Sequence, residues 1–408
     1  MNISVHISRV TYLLGLSLLS LNLSAQYDCS NDRFLQEVFT DVSVTSDVEY
    51  GNAFTYSGAA TILKMDVYQP TGDAFTERPL IVFAHGGSFI FGNKTSSDIV
   101  TLCNKYTRLG YVCASIDYRL GYENLIPNAT TATETVYRAT SDMRAAIRYF
   151  RKDRATANQF KIDTTNIYAA GVSAGAFMVL HLAYLDQPEE IPTAVDPVAF
   201  GGIEGLSGND GYSSKVKAIV NLCGALGDTA WINAGDTPCL SMHGTNDDVV
   251  PYGSDIINVL GISLFEVDGS HSVAARQSHI GVQNEFYTWP GQAHVPFVNS
   301  TVYMDSVYMA MTPFLANQLG CEVPTAIAPT DAPVELAMWP NPASETIYLN
   351  SSAKINQVQI FNLQGKLVQS MNPSNSTTSV SIDNLPNGMY FIRVLSNSTW
   401  QTRKFIKN

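Results

Sequence analysis

The densest cluster of reactive chemistry is the run Gly171, Val172, Ser173, Ala174, Gly175. A strand-like run, "NIYAAG", precedes it and a helix-like run, "AGAFMVLHLAYL", follows. A serine on such a strand-to-helix turn is exposed above a sheet edge at a helix N-terminus, and flanking glycines let neighbouring backbone approach without a Cβ clash. A hydroxyl is a weak nucleophile at neutral pH and needs a base. The candidate histidines beyond the N-terminal leader are His85, His181, His243, His271, His279 and His294. In strand–turn–helix serine sites the base follows the acid in the chain, which leaves His271, His279 and His294. His294 lies in "WPGQAHVPF", just after the strand-like run Glu285–Trp289, where a loop can carry an imidazole over the sheet edge. His271 and His279 lie in a turn-then-helix pattern and read as surface or capping residues.

The acid is expected after the preceding strand, in "LSMHGTNDDVVPY". Adjacent side chains diverge, so only one of Asp247 and Asp248 faces the histidine. Asp247 is the choice and Asp248 the fallback. Its role would be to accept the histidine Nδ1 hydrogen, fix the tautomer and stabilise the imidazolium. A tetrahedral oxyanion needs preorganised backbone donors. The small residues of "HGGSFIFG" (85–92) suit that task. The N–H groups of Gly87 and Ser88, with that of Ala174, are the candidate oxyanion donors, and His85 reads as a brace for this loop.

These residues need a scaffold with one shared edge. "PLIVFAHGG" and "YVCASIDYR" read as buried parallel strands, as do "NIYAAG", "VKAIVNLCG" and "PCLSMHG". Between Glu134 and Lys152 the apolar spacing is helical (Val136, Ala139, Met143, Ala146, Ile147, Phe150), with Thr131 and Glu134 as a possible capping box. Alternating strands and helices imply an α/β fold, a mostly parallel sheet with helices on both faces. Asp186–Tyr212, rich in Gly, Pro and acidic residues, reads as an insertion beside the site, in the position of a cap. It lacks the long amphipathic helix of an interfacial lid.

"HGGSFIFG", "GVSAGA", "HGTNDDVVPY" and "GQAH" occur in the order and spacing of α/β-hydrolase esterases, over about residues 60–320. The match most resembles HGG-type carboxylesterases and lipases related to bacterial hemicellulose-debranching esterases. Ser88 departs from the third glycine of many relatives and brings a side chain into the site. The tail, with "MWPNPASETIYL", "IFNLQGKLV", "NLPNGMYFIRV" and "KFIKN", resembles the C-terminal sorting domain of the type IX secretion system of Bacteroidetes. That resemblance implies export across the outer membrane, often with removal of the domain.

Arg9, the apolar run Val10–Leu21 and Ala25 form a signal-peptide pattern too short to span a bilayer. The expected organisation is a signal peptide (1–25), an α/β-hydrolase catalytic domain (26–322), a Pro/Thr linker (323–335) and a small all-β sandwich (336–408). The tail holds six Lys/Arg against two Asp/Glu, yet the 408-residue chain carries a net charge of −12. An acidic chain disfavours nucleic acid and anionic lipid as partners, and no stable membrane insertion is expected. Export permits disulfides among the six cysteines. Cys29 and Cys321, at the two ends of the large domain, could staple them. Cys103 with Cys113, and Cys223 with Cys239, are plausible local pairs, unless several are buried thiols.

The resulting expectation is a secreted or cell-surface serine carboxylesterase, exported through the periplasm. It would act on short-chain, acetyl or feruloyl esters, free or linked to plant polysaccharide, with the secretion machinery as the partner of its tail. No metal or cofactor is required, and phosphate-loop and HExxH patterns are absent. Phe89, Phe91, Phe177 and Trp231 are candidate acyl-pocket or core aromatics. A serine peptidase of the same fold, or a non-catalytic adhesion module keeping that fold, would share much of this pattern.

Overall fold

The computed structural model describes residues 29, 32–123, 127–259, 261–321, 336–363, 366–396 and 399–408. The expected leader (1–25) and linker (323–335) lie outside the described residues. In chain order the first part holds β1 (Val42–Phe54), β2 (Ala60–Pro70), β3 (Arg78–Ala84), α1 (Ser97–Arg108), β4 (Val112–Ile116), α2 (Ala129–Ala155), β5 (Ile162–Val172), α3 (Ala174–Tyr184), the short α4 (Pro197–Phe200), β6 (Ala218–Leu222), β7 (Ala225–Leu226), β8 (Cys239–Gly244), β9 (Ser254–Val259), β10 (Ile262–Gly269), α5 (Ser270–Ile280), β11 (Asn284–Trp289) and α6 (Thr301–Leu319). Eight strands form one sheet in the order β1-β2-β4-β3-β5-β6-β8-β11. The run β4-β3-β5-β6-β8-β11 is parallel, and β2 and β1 extend it antiparallel.

Continuous apolar strands explain the layering, because a parallel strand buried on both faces has no polar side. Leu80, Val82 and Ala84 of β3 pack into the cluster under α2, α3 and α5. Ile81 and Phe83 point the other way, into the cluster under α1 and α6. All of β3, β4, β6 and β8 is buried. Helix α2 starts earlier than its apolar period suggests. Asn128 is its cap, accepting from Thr131 N at 3.0 Å while its own N–H reaches Thr131 Oγ1 at 3.0 Å. The capping pair is thus Asn128 with Thr131, one turn ahead of the expected Thr131 with Glu134, and Glu134 faces Arg138 instead.

The tail folds as β12 (Leu336–Trp339), β13 (Thr346–Ser351), β14 (Ile355–Phe361), β15 (Leu367–Met371), β16 (Thr377–Ser381), β17 (Gly388–Ser396) and β18 (Thr399–Lys407). They form two antiparallel sheets, β12-β13-β16 and β15-β14-β17-β18. Ile347 and Leu349 from the first and Val358, Ile360, Ile392 and Val394 from the second share one core. That packing is a small sandwich, as the alternating runs of the sequence require.

One disulfide joins Cys29 to Cys321 across 292 residues, with Cα atoms 5.7 Å apart. The two local pairs are not formed: Cys103, Cys113, Cys223 and Cys239 are buried free thiols. Cys239 pairs with Ile219 on the neighbouring strand, four residues from Cys223. At about 3.3 Å per residue that register separates the two cysteines by about 13 Å, beyond the roughly 7 Å a disulfide can bridge. Cys103 and Cys113 enter the same apolar cluster from α1 and β4 and act there as small apolar groups. Thiol titration of the denatured, unreduced protein is expected to count four groups, and a count of zero would contradict this pairing. Removing the Cys29–Cys321 link should cost about 2–5 kcal/mol of stability, read as a lowered unfolding midpoint.

Candidate active site

The carboxyl ends of β3, β5, β8 and β11 meet along one sheet edge, and the candidate residues leave the sheet there. Ser173 sits between β5 and α3 with φ 54° and ψ −115°, a backbone state costing of order 1–3 kcal/mol for a side-chain-bearing residue. It is held by close approach on both sides. A Cβ on Gly171 would enter the Gly175 carbonyl, and one on Gly175 would enter the Ala84 carbonyl of β3. Ser173 N donates to Leu222 O of β6 at 2.9 Å, which completes the clamp.

The loops after β8 and β11 are laced together. Thr245 N donates to Trp289 O at 3.1 Å, Asn246 N to Gln292 O at 2.9 Å, and Gly291 N to Thr245 Oγ1 at 2.8 Å. This lacing brings Asp247 to His294, whose Nδ1–H donates to Asp247 Oδ2 at 2.7 Å. His294 Nε2 accepts from the Ser173 hydroxyl at 2.8 Å. Ser173, His294 and Asp247 therefore stand in one hydrogen-bonded line, although 121 residues separate the first two. Asp248 is exposed, as are His271 and His279, and His85 and His181 lie elsewhere in the core.

Burial would raise the Asp247 carboxyl, but hydrogen bonds from His243 and His294, the charge of His294 and the Val250 N–H outweigh it and hold the group well below the usual carboxylate range. Asp247 Oδ1 also accepts from Val249 N and Val250 N, both at 2.9 Å. The nearby Cys223 thiol is pushed up to about 12 by burial and by the charge of Asp247. Cys223, Asp247 and His294 form the only group of possible metal ligands among the described residues, with ligand atoms within 4.8 Å of one another. Two of the three are already joined by a hydrogen bond, and burial favours the protonated form of the third, a thiol.

The loop after β3 carries three successive left-handed residues: Gly87 (φ 118°), Ser88 (φ 55°) and Phe89 (φ 59°). At Gly87 a side chain would strike the Phe91 carbonyl, so glycine is required there. The N–H groups of Ile90 and Phe91 turn back to Gly87 O, each at 2.9 Å. Among the described residues, no protein acceptor faces the N–H groups of Gly87, Ser88 or Ala174, the first residue of α3. The loop is braced from below. The Tyr118 hydroxyl donates to His85 O at 2.9 Å and that of Tyr122 to Ser88 O at 2.8 Å. His85 stacks on Tyr118 at 4.3 Å and donates Nδ1–H to Gly86 O at 2.7 Å, with burial lowering its basicity.

Ser173 opens into a cavity of about 50 Å³ lined by Ser88, Phe89, Ala174 and Phe177. Its roof is the β9–β10 hairpin, which contributes Ile257, Leu264 and Phe265. The segment Asp186–Tyr212 is not that roof. It folds back on α2, where Arg148 donates to Glu204 and Gly208 O, Ser207 Oγ donates to Asp142 at 2.6 Å, and Tyr137 donates to Gly202 O. These contacts hold the segment against α2, outside the lining of the Ser173 cavity, while its Pro192 and Ile203 line an adjoining cavity. A larger cavity of about 270 Å³, with Tyr137, His181 and Trp231 in its wall, lies beyond Val136, Phe177 and Phe265, which line both. Phe89 and Phe177 thus face the Ser173 cavity, Trp231 faces the second one, and Phe91 is exposed.

His243 and the hairpin are absent from the sequence-level site. The histidine sits inside an apolar strand pattern that marks it as core. The hairpin is half exposed on both strands and shows no clean alternation. For the serine turn, Gly175→Ala should force β3 and α3 apart and lower stability by about 1–3 kcal/mol. An unchanged denaturant midpoint would contradict the close approach.

Residues 65–226 match the BD-FAE family, and residues 337–408 match the secretion system C-terminal sorting domain. No curated protein sequence matches the chain. Among solved structures, Thermogutta terrifontis esterase 2 phosphorylated by paraoxon is similar at 21% identity, with 68% of this chain and 94% of that chain covered and a TM-score of 0.48. A propionate-bound form of a thermophilic esterase from the same planctomycete is similar at 20% identity, over 63% and 90% of the two chains, with a TM-score of 0.47. Through its BD-FAE segment the chain is an esterase-type α/β-hydrolase, a carboxylic ester hydrolase, and through its last 72 residues (337–408) it carries the sorting tail of type IX export to the cell surface or beyond.

Proposed function

We propose that Ser173 is the nucleophile, His294 the general acid–base and Asp247 the orienting carboxylate of a two-step acyl transfer on short-chain esters. The observation that carries this reading is the hydrogen-bonded line Ser173–His294–Asp247 at 2.8 and 2.7 Å, opening into a small cavity. His294 Nε2 takes the Ser173 proton as Oγ attacks the ester carbonyl. The oxyanion is received by the N–H groups of Gly87, Ser88 and Ala174, donors that need no reorganisation when charge develops. His294 then returns the proton to the leaving alcohol. Water repeats the sequence on the acyl-enzyme and frees the carboxylic acid. Asp247, kept ionised by its donors, stabilises the transient imidazolium.

A cavity of about 50 Å³ accommodates an acetyl or similarly short acyl group. A feruloyl group would have to displace the wall of Phe177 and Phe265 and enter the space of about 270 Å³ behind it. Ser173→Ala, and separately Asp247→Asn, are expected to lower kcat by about 10⁴ or more at unchanged fold. The wild type should be labelled covalently at Ser173 by a fluorophosphonate. Retained turnover in Ser173→Ala would remove the proposal. A panel of p-nitrophenyl esters, acetylated xylan, methyl ferulate and peptide amides then tests the substrate class, and amide turnover above ester turnover would favour a peptidase. Phe265→Ala should join the two cavities and raise the butyrate-to-acetate ratio of kcat/KM about tenfold, the scale of one or two extra methylenes in an apolar pocket. An unchanged ratio would show that Phe265 is not the wall.

A further inference from the structure

Asp247 has a second histidine on its far side. His243, at the end of β8, is fully buried, and its Nε2 lies 3.0 Å from Asp247 Oδ2 and 3.2 Å from Val250 O. Both neighbours are acceptors, so Nε2 must carry the hydrogen. A lone pair there would face a carboxylate and a carbonyl in a dry interior. The other nitrogen, Nδ1, lies 2.7 Å from Ser270 Oγ at the start of α5, whose single hydrogen has two acceptors in reach, Nδ1 and Gly224 O at 3.1 Å. Ser270 Oγ in turn accepts from Asn221 Nδ2 at 2.9 Å, and Asn221 also donates to Ser241 Oγ at 3.0 Å. Asn221 Oδ1 accepts from Gly224 N at 2.9 Å. Asn221, Ser241 and Ser270 are as buried as His243.

We propose that His243 is a positioning residue of the acyl-transfer reaction: its Nε2–H holds Asp247 Oδ2 in line with His294 and limits how strongly the carboxylate pulls on the imidazolium. This inference rests on the proposed roles of Ser173, His294 and Asp247. One oxygen, Oδ2, receives both His294 Nδ1–H and His243 Nε2–H. The two acceptors on Nε2, Asp247 Oδ2 and Val250 O, fix the hydrogen that makes the second donation possible, so His243 stays a donor throughout the cycle and takes no part in proton transfer. The groups that face this pair from the surrounding elements are few. His294 and the protonated Cys223 thiol face Asp247. Tyr252 meets His243 edge-on at 5.8 Å and is stacked in turn on His271 at 5.1 Å. Without the His243 donor the carboxylate becomes more basic, the imidazolium of His294 persists to higher pH, and the acid limb of kcat/KM moves upward.

Three measurements on the purified protein test this. In the wild type, ¹⁵N NMR is expected to show His243 protonated at Nε2, and a ring carrying its hydrogen at Nδ1 alone would overturn the proposal. His243→Leu should lower kcat about tenfold, the order seen for outer-shell partners of oriented histidines, leave KM unchanged and raise the acid limb by roughly half a unit. His243→Gln, which keeps an N–H near the Nε2 position, should return the acid limb to the wild-type pH. Should His243→Leu not fold, the Gln variant and the tautomer decide alone, and a Gln variant with a displaced acid limb would overturn the proposal. A Leu variant with lower kcat and an unmoved acid limb would reduce His243 to a packing role and overturn it as well. Ser173→Ala run alongside separates the two levels. Activity surviving there removes the acyl-transfer roles themselves, whereas loss there with no effect of His243 substitutions removes only this inference.

Discussion

The Asp247 carboxylate is a charge with a fully buried side chain, and such a charge persists only where fixed donors replace its hydration. Four do so: two main-chain N–H groups on Oδ1 and two imidazoles on Oδ2. A carboxylate offers about four acceptor positions, so the group is saturated and its orientation follows from its donors. Those donors come from the loop after β8, from the loop after β11 and from β8 itself. Any shift of β8 against β11 would leave a buried charge short of a donor. The lacing of Thr245, Asn246 and Gly291 to the opposite loop resists that shift. The line to Ser173 is in this sense an outcome of charge burial in a parallel sheet.

The serine end obeys a different constraint, that of space. The left-handed conformation of Ser173 is tolerated because β3, β5 and α3 approach so closely that Gly171 and Gly175 have no room for a Cβ. The same closeness brings the loop after β3 against the serine, since a Cβ on Gly86 would lie 3.2 Å from that of Ser173. Three consecutive left-handed residues then leave main-chain N–H groups without internal partners next to a hydroxyl. Strain in one turn and unsatisfied donors in the next are costs that a purely structural loop would shed. Their coincidence at one edge is the physical mark of a site.

The sequence was most legible where one residue type has one physical use. Five apolar runs correspond to β3, β4, β5, β6 and β8, because a two-sided buried strand admits little else. The Gly-x-Ser-x-Gly run stood out because only glycine permits such approach. Legibility failed where a role depends on a distant partner. His243 looks like core until Asp247 and Ser270 are seen on its two nitrogens. The Gly- and Pro-rich segment before β6 reads as an insertion, and its contacts with α2, Glu204 on the buried Arg148 and Ser207 on Asp142, have no local signature. The Cys223–Cys239 pair failed for the same reason, since register along adjacent strands cannot be read from spacing.

The roof of the cavity and the support of the carboxylate share one joint. The β9–β10 hairpin is tied to the body through β7 by the pairs Leu226–Asp268 and Ala225–Gly269, and α5 begins at the next residue, Ser270. A Cβ on Gly269 would enter the Pro251 carbonyl, so the joint also presses on the loop that carries Asp247. Asp268 adds a clasp by accepting from Thr229 N at 2.7 Å and from Ser254 Oγ. The middle of the hairpin, by contrast, lines the Ser173 cavity with Ile257, Leu264 and Phe265. Substitutions there reshape that cavity while the donors of Asp247 stay in place. Substitutions at Ser270 reach Asp247 through His243, and those at Gly269 through the loop that holds Pro251. One hairpin thus lines the Ser173 cavity with its middle and borders the support of the Asp247 carboxylate with its base.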